Sequence, residues 1–212
     1  NDVPLDHAAL LEPLSVGYHA VDRSGAKEGD FVLVGGAGPI GLLTAAVLKA
    51  RGCTVAISEI SELRRQRALD TGVADHALDP TKVDVVAEVR ALTGGRGADV
   101  AIEATSVQPV LDTLMNALRP TGVLCVVAIW SKPATLDLLQ LVLKEIDVRG
   151  TIAYVNTHPD TIKLVESGTI DLAPFITGRI GLDDLIDKGF EKLIHHNETA
   201  VKILVSPSGR GL

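Results

Sequence analysis

Between Phe31 and Glu59 the sequence FVLVGGAGPIGLLTAAVLKARGCTVAISE holds the residues most able to bind phosphate. Gly36-Ala37-Gly38-Pro39-Ile40-Gly41 has the spacing of a dinucleotide-binding turn between a strand and a helix. In such a turn Gly36 permits the tight bend, Gly38 lets backbone N–H groups close on a pyrophosphate, and Gly41 lets the helix lie against the strand. Pro39, at the helix start, gives up an N–H that has no helical partner anyway. The N–H groups from Ile40 onward and the positive end of the helix dipole then face the phosphates. Glu59 follows Gly36 by 23 residues, at the end of the next apolar run. There it can accept hydrogen bonds from adenosine ribose hydroxyls and repel a 2′-phosphate, which favours NAD over NADP. Arg64 and Arg65 weigh the other way, since basic residues beyond the second strand can accommodate that phosphate. Arg65 reads more simply as part of an exposed helix face.

These residues need a strand, a helix and a second strand to hold them, and the pattern continues beyond them. Phe31 to Val34 and Thr54 to Ser58 read as strands joined by a helix ending near Arg51. A helix from Glu62 to Leu69 capped by Ser61, a strand Ala74 to Leu78 and a helix Val83 to Leu92 follow. Then come a strand Asp99 to Glu103, a helix Val107 to Leu118, a strand Gly122 to Ile129, a helix Leu136 to Lys144 and a strand Val148 to Ile152. Apolar strands alternating with helices predict an α/β fold: a Rossmann, doubly wound, parallel six-stranded sheet covered on both faces. Ligands of such sheets lie at the carboxyl ends of the strands. That rule singles out Gly36 to Gly41, Glu59, Ala104-Thr105-Ser106, Val127 to Ile129 and Ile152 to Tyr154.

The ends of the chain break the alternation. Residues 14–155 form the predicted nucleotide-binding domain, and segments 1–13 and 156–212 read as pieces that complete something else. The opening is a helix-like run, AALLEPLSVGYHAV, interrupted by Pro13. The tail predicts a helix Pro159 to Glu166, a strand Phe175 to Ile180, one amphipathic helix Leu182 to Ile194 and a strand Ala200 to Val205.

Composition narrows the partners. A net charge of −7 argues against nucleic acid, which asks for a basic stripe. No apolar run is long enough to span a bilayer, so no membrane is expected. With 46% hydrophobic but only 3% aromatic residues, the core must be aliphatic, as buried parallel strands prefer. Cys53 and Cys125 sit in or beside apolar runs and read as small buried hydrophobes, so a reducing cytoplasm is the default location.

The stretches AALLEPLSVGYHAV, VLVGGAGPIGLLTAAVLKARG, ISEIS followed by Arg64, KEIDVRGTIAY and ITGRIGLDDLIDKGFEKLIHH with AVKILVSP together resemble the zinc-type medium-chain alcohol and polyol dehydrogenases. The butanediol, sorbitol and threonine dehydrogenase branches are nearest. The resemblance implies an NAD cofactor and hydride transfer at a zinc-bound alcohol or diol. It implies that Thr105 and the backbone of Val127, Ala128 and Ile129 touch the nicotinamide half, with Ile152, Ala153 and Tyr154 also near the cofactor. Ala153 stands where sorbitol dehydrogenases have an Arg, which favours a butanediol-like site. Pairing into a homodimer or homotetramer through the sheet edge, around Leu124 to Ile129 and Val148 to Ile152, is implied as well.

In that family an N-terminal domain supplies the cysteine and the His-Glu pair of the catalytic zinc, and neither Cys53 nor Cys125 has such a grouping around it. The chain is therefore expected to be the cofactor-binding part of a larger enzyme. Glu12, in the EP pair, is the one remaining link to the metal: by its position alone a first-turn helix acid, by resemblance a catalytic carboxylate beside the zinc. A stand-alone NAD-binding sensor without catalysis is the other reading, and Glu12 in its EPLSVG context speaks against it.

Overall fold

The computed structural model describes residues 3–209, so the outermost positions of both predicted end segments lie outside the described residues. The chain runs α1 (Leu5–Ala8), α2 (Leu11–Ser24), β1 (Phe31–Gly35), α3 (Pro39–Ala50), β2 (Thr54–Ser58), α4 (Glu62–Asp70), β3 (His76–Leu78) and α5 (Val85–Leu92). It continues through β4 (Ala98–Glu103), α6 (Gln108–Ala117), β5 (Leu118–Val126), α7 (Leu138–Lys144), β6 (Asp147–Gly150) and α8 (His158–Glu166). The tail adds β7 (Ile176–Gly181), α9 (Glu191–His195) and β8 (Lys202–Ser206). Six strands form one parallel sheet in the order β3-β2-β1-β4-β5-β6, and β7 pairs with β8 in a separate parallel ribbon.

Strand alternation sorts the core into two layers. Val32 and Val34 of β1 join Val55, Ile57, Val100 and Ile102 beneath α2 and α3, while Phe31 and Leu33 join Ala101, Leu124 and the α5–α6 residues Val89, Leu111 and Leu114 on the opposite face. Local signals start the helices. Ser61 accepts the Arg64 N–H at 3.4 Å to open α4, and Asp84 accepts the Val86 and Ala87 N–H groups at 2.9 and 3.1 Å to open α5.

Four expectations change. Pro13 does not interrupt the opening helix: it lies in the first turn of α2, where its missing N–H has no helical partner to lose. The fifth strand begins at Leu118, where Arg119 is drawn to the carboxylate of Asp99 at 2.6 Å, and it ends at Val126, so Val127 to Ile129 form a loop. The sixth strand is Asp147–Gly150, a mostly exposed edge rather than a strand buried on both faces, and among the described residues no strand pairs with its outer side. The predicted helix Leu182 to Ile194 is composite: a 3₁₀ turn Leu182–Asp184, a π-helical stretch Leu185–Phe190 and α9. Gly189 is buried against Ile180 of β7 in that stretch, and glycine weakens an α-helix interior.

Helix α2 is bound tightly to the sheet layer. A Cβ on Gly17 would stand 2.9 Å from the Thr44 backbone nitrogen of α3, and the buried Ser15 and Thr161 hydroxyls meet at 3.1 Å between α2 and α8. Gly17→Ala sets about 1 kcal/mol of helix propensity against overpacking of about 1–3 kcal/mol. A net loss of about 1 kcal/mol, measured by chemical denaturation, is expected; an unchanged midpoint would show that the α2–α3 spacing does not depend on Gly17.

Candidate functional site

Register brings the strand ends level. Gly35 pairs with Ser58 on one side and Glu103 on the other, Glu103 with Val126, and Val126 with Gly150. The strand order reverses direction between β1 and β4, so the loops after these strands bound the crevice where ligands of open α/β sheets bind. The segments predicted from sequence all leave from this rim: Gly36 to Gly41 after β1, Glu59 after β2, Thr105 after β4, Val127 to Ile129 after β5 and Ile152 to Tyr154 shortly after β6.

The three glycines of the β1–α3 turn have separable duties. Gly36 takes a φ of +98°, a region L side chains rarely adopt, and a Cβ there would meet Thr105 Cγ2 at 2.7 Å. Gly41 lies where a Cβ would collide with the Gly36 carbonyl oxygen. Gly38 has an ordinary φ of −70°, and nothing lies within 4 Å of its Cβ position. Among the described residues nothing requires glycine there, so a glycine at this place fits a group arriving from outside, at the positive end of α3. Pro39 and Ile40 are half-buried beside it.

Glu59 is buried, and its carboxylate braces the turn: one oxygen accepts the Ala37 N–H at 2.8 Å, the other the Ser61 N–H at 2.9 Å. Each oxygen keeps a further lone-pair direction for a hydroxyl donor. Arg64 donates to the Asn197 carbonyl at 2.8 Å, tying α4 to the tail, while its Nε is buried with no hydrogen-bond partner among the described residues. Arg65 is not part of an exposed face. It is buried, donates to the Glu59 and Ile60 carbonyls at 2.6 and 2.8 Å, and pairs with Asp79 at 2.9 Å, because the end of β2 leaves carbonyls that need donors. The Thr81 hydroxyl, then the Thr81 N–H and the Arg65 charge, hold the Asp79 carboxyl below its usual range against the opposing effect of burial.

Glu103 was not singled out by sequence, yet it is fully buried at the end of β4. Its carboxylate accepts from the Thr105 N–H and hydroxyl at 2.6 Å each, the Ser106 N–H at 2.9 Å and the Trp130 indole N–H at 2.9 Å. An acid directly after the apolar run Val100 to Ile102, at the carboxyl end of the strand, was the available signal. On the far side of the rim, Ile129 and Ile152 are 80% and 71% exposed, and Ala153 holds a φ of +47°, unusual for a residue with a side chain. The Tyr154 ring meets His158 edge-on at 4.7 Å.

The candidate metal residue fits less well. Glu12 lies exposed in the first turn of α2, and no group of three or more His, Cys, Asp and Glu side chains among the described residues could hold a metal ion. A catalytic zinc takes about three protein ligands, so these residues do not fit one. Burial pushes both thiols up to about 11, with the Asp30 charge adding to it at Cys53. No helix among the described residues is long and apolar enough to cross a membrane.

A parallel sheet with a glycine turn after its first strand, a braced acid after its second and a crevice at the reversal of strand order defines a Rossmann-type α/β protein. The chain belongs to the zinc-binding dehydrogenase family, whose sequence pattern matches residues 39–167. It is 63% identical to an (R,R)-butanediol dehydrogenase of Neisseria gonorrhoeae over 97% of this chain and 58% of that protein. The crystal structure of 2R,3R-butanediol dehydrogenase from Bacillus subtilis superposes with a TM-score of 0.88 at 40% identity, covering 94% of this chain and 57% of that one. A putative zinc-binding dehydrogenase from Sinorhizobium meliloti, solved bound to NADP, superposes with a TM-score of 0.85 at 30% identity over 97% of this chain and 61% of its own. The chain thus spans about three fifths of the length of these relatives.

The glycine geometry separates two substitutions. Gly38→Ala is expected to leave stability within about 0.5 kcal/mol, as for a surface change, whereas Gly41→Ala should cost about 1–3 kcal/mol through overpacking. Thermal melts of both variants check this; equal losses would mean that Gly38 has an internal packing duty.

Proposed function

We propose that this chain is the NAD(H)-binding part of a zinc-dependent dehydrogenase that passes hydride between a secondary alcohol or diol, such as 2,3-butanediol, and NAD. The observation that carries the reading is Gly38: a glycine at the start of α3 whose Cβ direction opens into empty space, beside a turn held by Glu59. The likeness to butanediol dehydrogenases supports the substrate class, and Ala153, where sorbitol dehydrogenases have an Arg, agrees with it.

In this reading the backbone N–H groups from Gly38 to Gly41, with Pro39 shaping the helix start and Ile40 flanking it, hold the pyrophosphate. Glu59 uses its remaining lone pairs for the adenosine ribose and disfavours a 2′-phosphate, so NAD is preferred although the Sinorhizobium relative was solved with NADP. Arg64, anchored at Asn197, borders the adenosine side. Thr105 and the backbone of Val127, Ala128 and Ile129 line the nicotinamide half, with Ile152, Ala153 and Tyr154 closing the other wall. The bound cofactor supplies the hydride acceptor. Glu12 would reach a zinc only beside ligands from outside the described residues. Of segments 1–13 and 156–212, Leu10, Leu172, Phe175 and Val201 are buried in the core of this domain, and the exposed Leu5, Leu182, Ile186, Phe190 and Ile194 would face the domain that carries those ligands.

We also place the protein in the cytoplasm and assign its apolar edge to a second copy of the chain. Leu138, Leu139, Val142 and Leu143 of α7, the helix that leads into the edge strand β6, are exposed, as is Val148 of β6. Such a patch marks an interface.

Cofactor binding and oligomeric state test these proposals. NADH should quench Trp130 emission on binding, NADPH should bind at least tenfold more weakly, and Glu59→Ser should narrow that gap; equal affinities in the unsubstituted chain would sink the role of Glu59. Gly38→Val should abolish binding with circular dichroism unchanged. By light scattering, the parent chain should be a dimer or larger and Val142→Glu should shift it toward monomer, while a monomeric parent would remove the edge assignment.

A further inference from the structure

Glu103 has no part in the reading above, and its surroundings ask for one. It is fully buried, and all four groups facing its carboxylate are hydrogen-bond donors. Three of them belong to the loop after β4 and one to Trp130, in the loop after β5. The backbone carbonyl of the same residue accepts the Val127 and Ala128 N–H groups at 2.9 and 3.2 Å, and the next residue, Ala104, donates its N–H to Gly35 at 3.1 Å. Glu103 thus joins the loop after β4 to the loop after β5, and its neighbour Ala104 ties the pair to the end of β1, so that three walls of the crevice meet at these two residues.

The donors also have work to do together. Ser106 takes a φ of +56°, which a residue with a side chain seldom adopts unless its surroundings hold it. The N–H groups of Thr105 and Ser106 converging on one carboxylate oxygen supply that hold, and they place Thr105 Cγ2 against the bend at Gly36. The other oxygen fixes the indole of the only tryptophan in the chain. A carboxylate is the one side chain that accepts at both ends; an amide must turn an NH₂ toward one set of donors.

We infer that Glu103 is a positioning residue for the nicotinamide half of the cofactor: through its two oxygens it sets the Thr105–Ser106 loop and the Trp130 ring at the crevice. This rests on the cofactor reading proposed above. Adenosine-side binding, which depends on the β1–α3 turn and Glu59, is independent of it.

The test uses NADH and AMP as probes, with the parent chain, Glu103→Gln, Thr105→Val and Trp130→Phe. Glu103→Gln keeps the volume but leaves a donor facing a donor, so NADH should bind about tenfold more weakly or worse, AMP should bind as to the parent, and acrylamide should quench Trp130 more readily. Thr105→Val removes one donor without touching the carboxylate: NADH should weaken, AMP and Trp130 quenching should hold. Trp130→Phe should weaken NADH by a smaller factor and leave AMP unchanged, and these two variants carry the test should Glu103→Gln fail to fold. Parent-like NADH affinity in Thr105→Val and Trp130→Phe would overturn the inference, as would equal losses of NADH and AMP, which mark a general structural role. A parent chain that binds neither probe would overturn the cofactor reading and this inference with it. A parent that binds both, with variants that match it, would overturn the inference alone.

Discussion

Parallel pairing decides where everything else in this molecule can go. A parallel strand can be followed by its neighbour only after the chain has crossed back over a sheet face, so every strand ends at the same rim and every crossover covers a face. The register from Gly35 through Glu103 and Val126 to Gly150 is the visible result. Loops distant in sequence are delivered to one edge, and the reversal of order between β1 and β4 parts them there.

Just past that rim, where Gly36, Glu59 and Ala104 make the last bonds to neighbouring strands, the ladder stops, and the N–H groups of Ala37, Ser61, Thr105 and Ser106 need other acceptors. Two buried acids take them up. Glu59 gathers N–H groups from the β1 turn and from the start of α4, and Glu103 gathers them from the β4 loop and Trp130. The two carboxylates act alike on either side of β1. Arg65 completes the arrangement from below by donating to the carbonyls after β2.

What could be read from the sequence follows from how local each signal is. Strand β2, the Ser61 cap of α4 and the glycine turn are written in adjacent residues and lie where they were expected. The duty of Arg65 depends on Asp79, and that of Glu103 on Trp130, partners that strand pairing alone brings near. Periodicity could not reveal them. The shift of β5 has the same origin, since the early start at Leu118 follows the pull of Asp99 on Arg119 against the local breaker Pro120. Pro13 misled for the opposite reason, because a proline in a first turn and one in a helix interior look identical until the start of the helix is known. Along Leu182 to Ile194 the apolar spacing is helical, but Gly189 and its seat on Ile180 draw the backbone into a wider coil.

The two cysteines carry a consequence of their own. Cys53 points its thiol at the Lys27 carbonyl and Cys125 at the Ala20 carbonyl, each inside the core and each with its pKa pushed up to about 11. At neutral pH burial keeps both as thiols, the less reactive form. Alkylating reagents and peroxide therefore find nothing to attack until the sheet opens. Their rate of reaction is a clock for unfolding, and Cys125, seated between β5 and α2, times the centre of the domain.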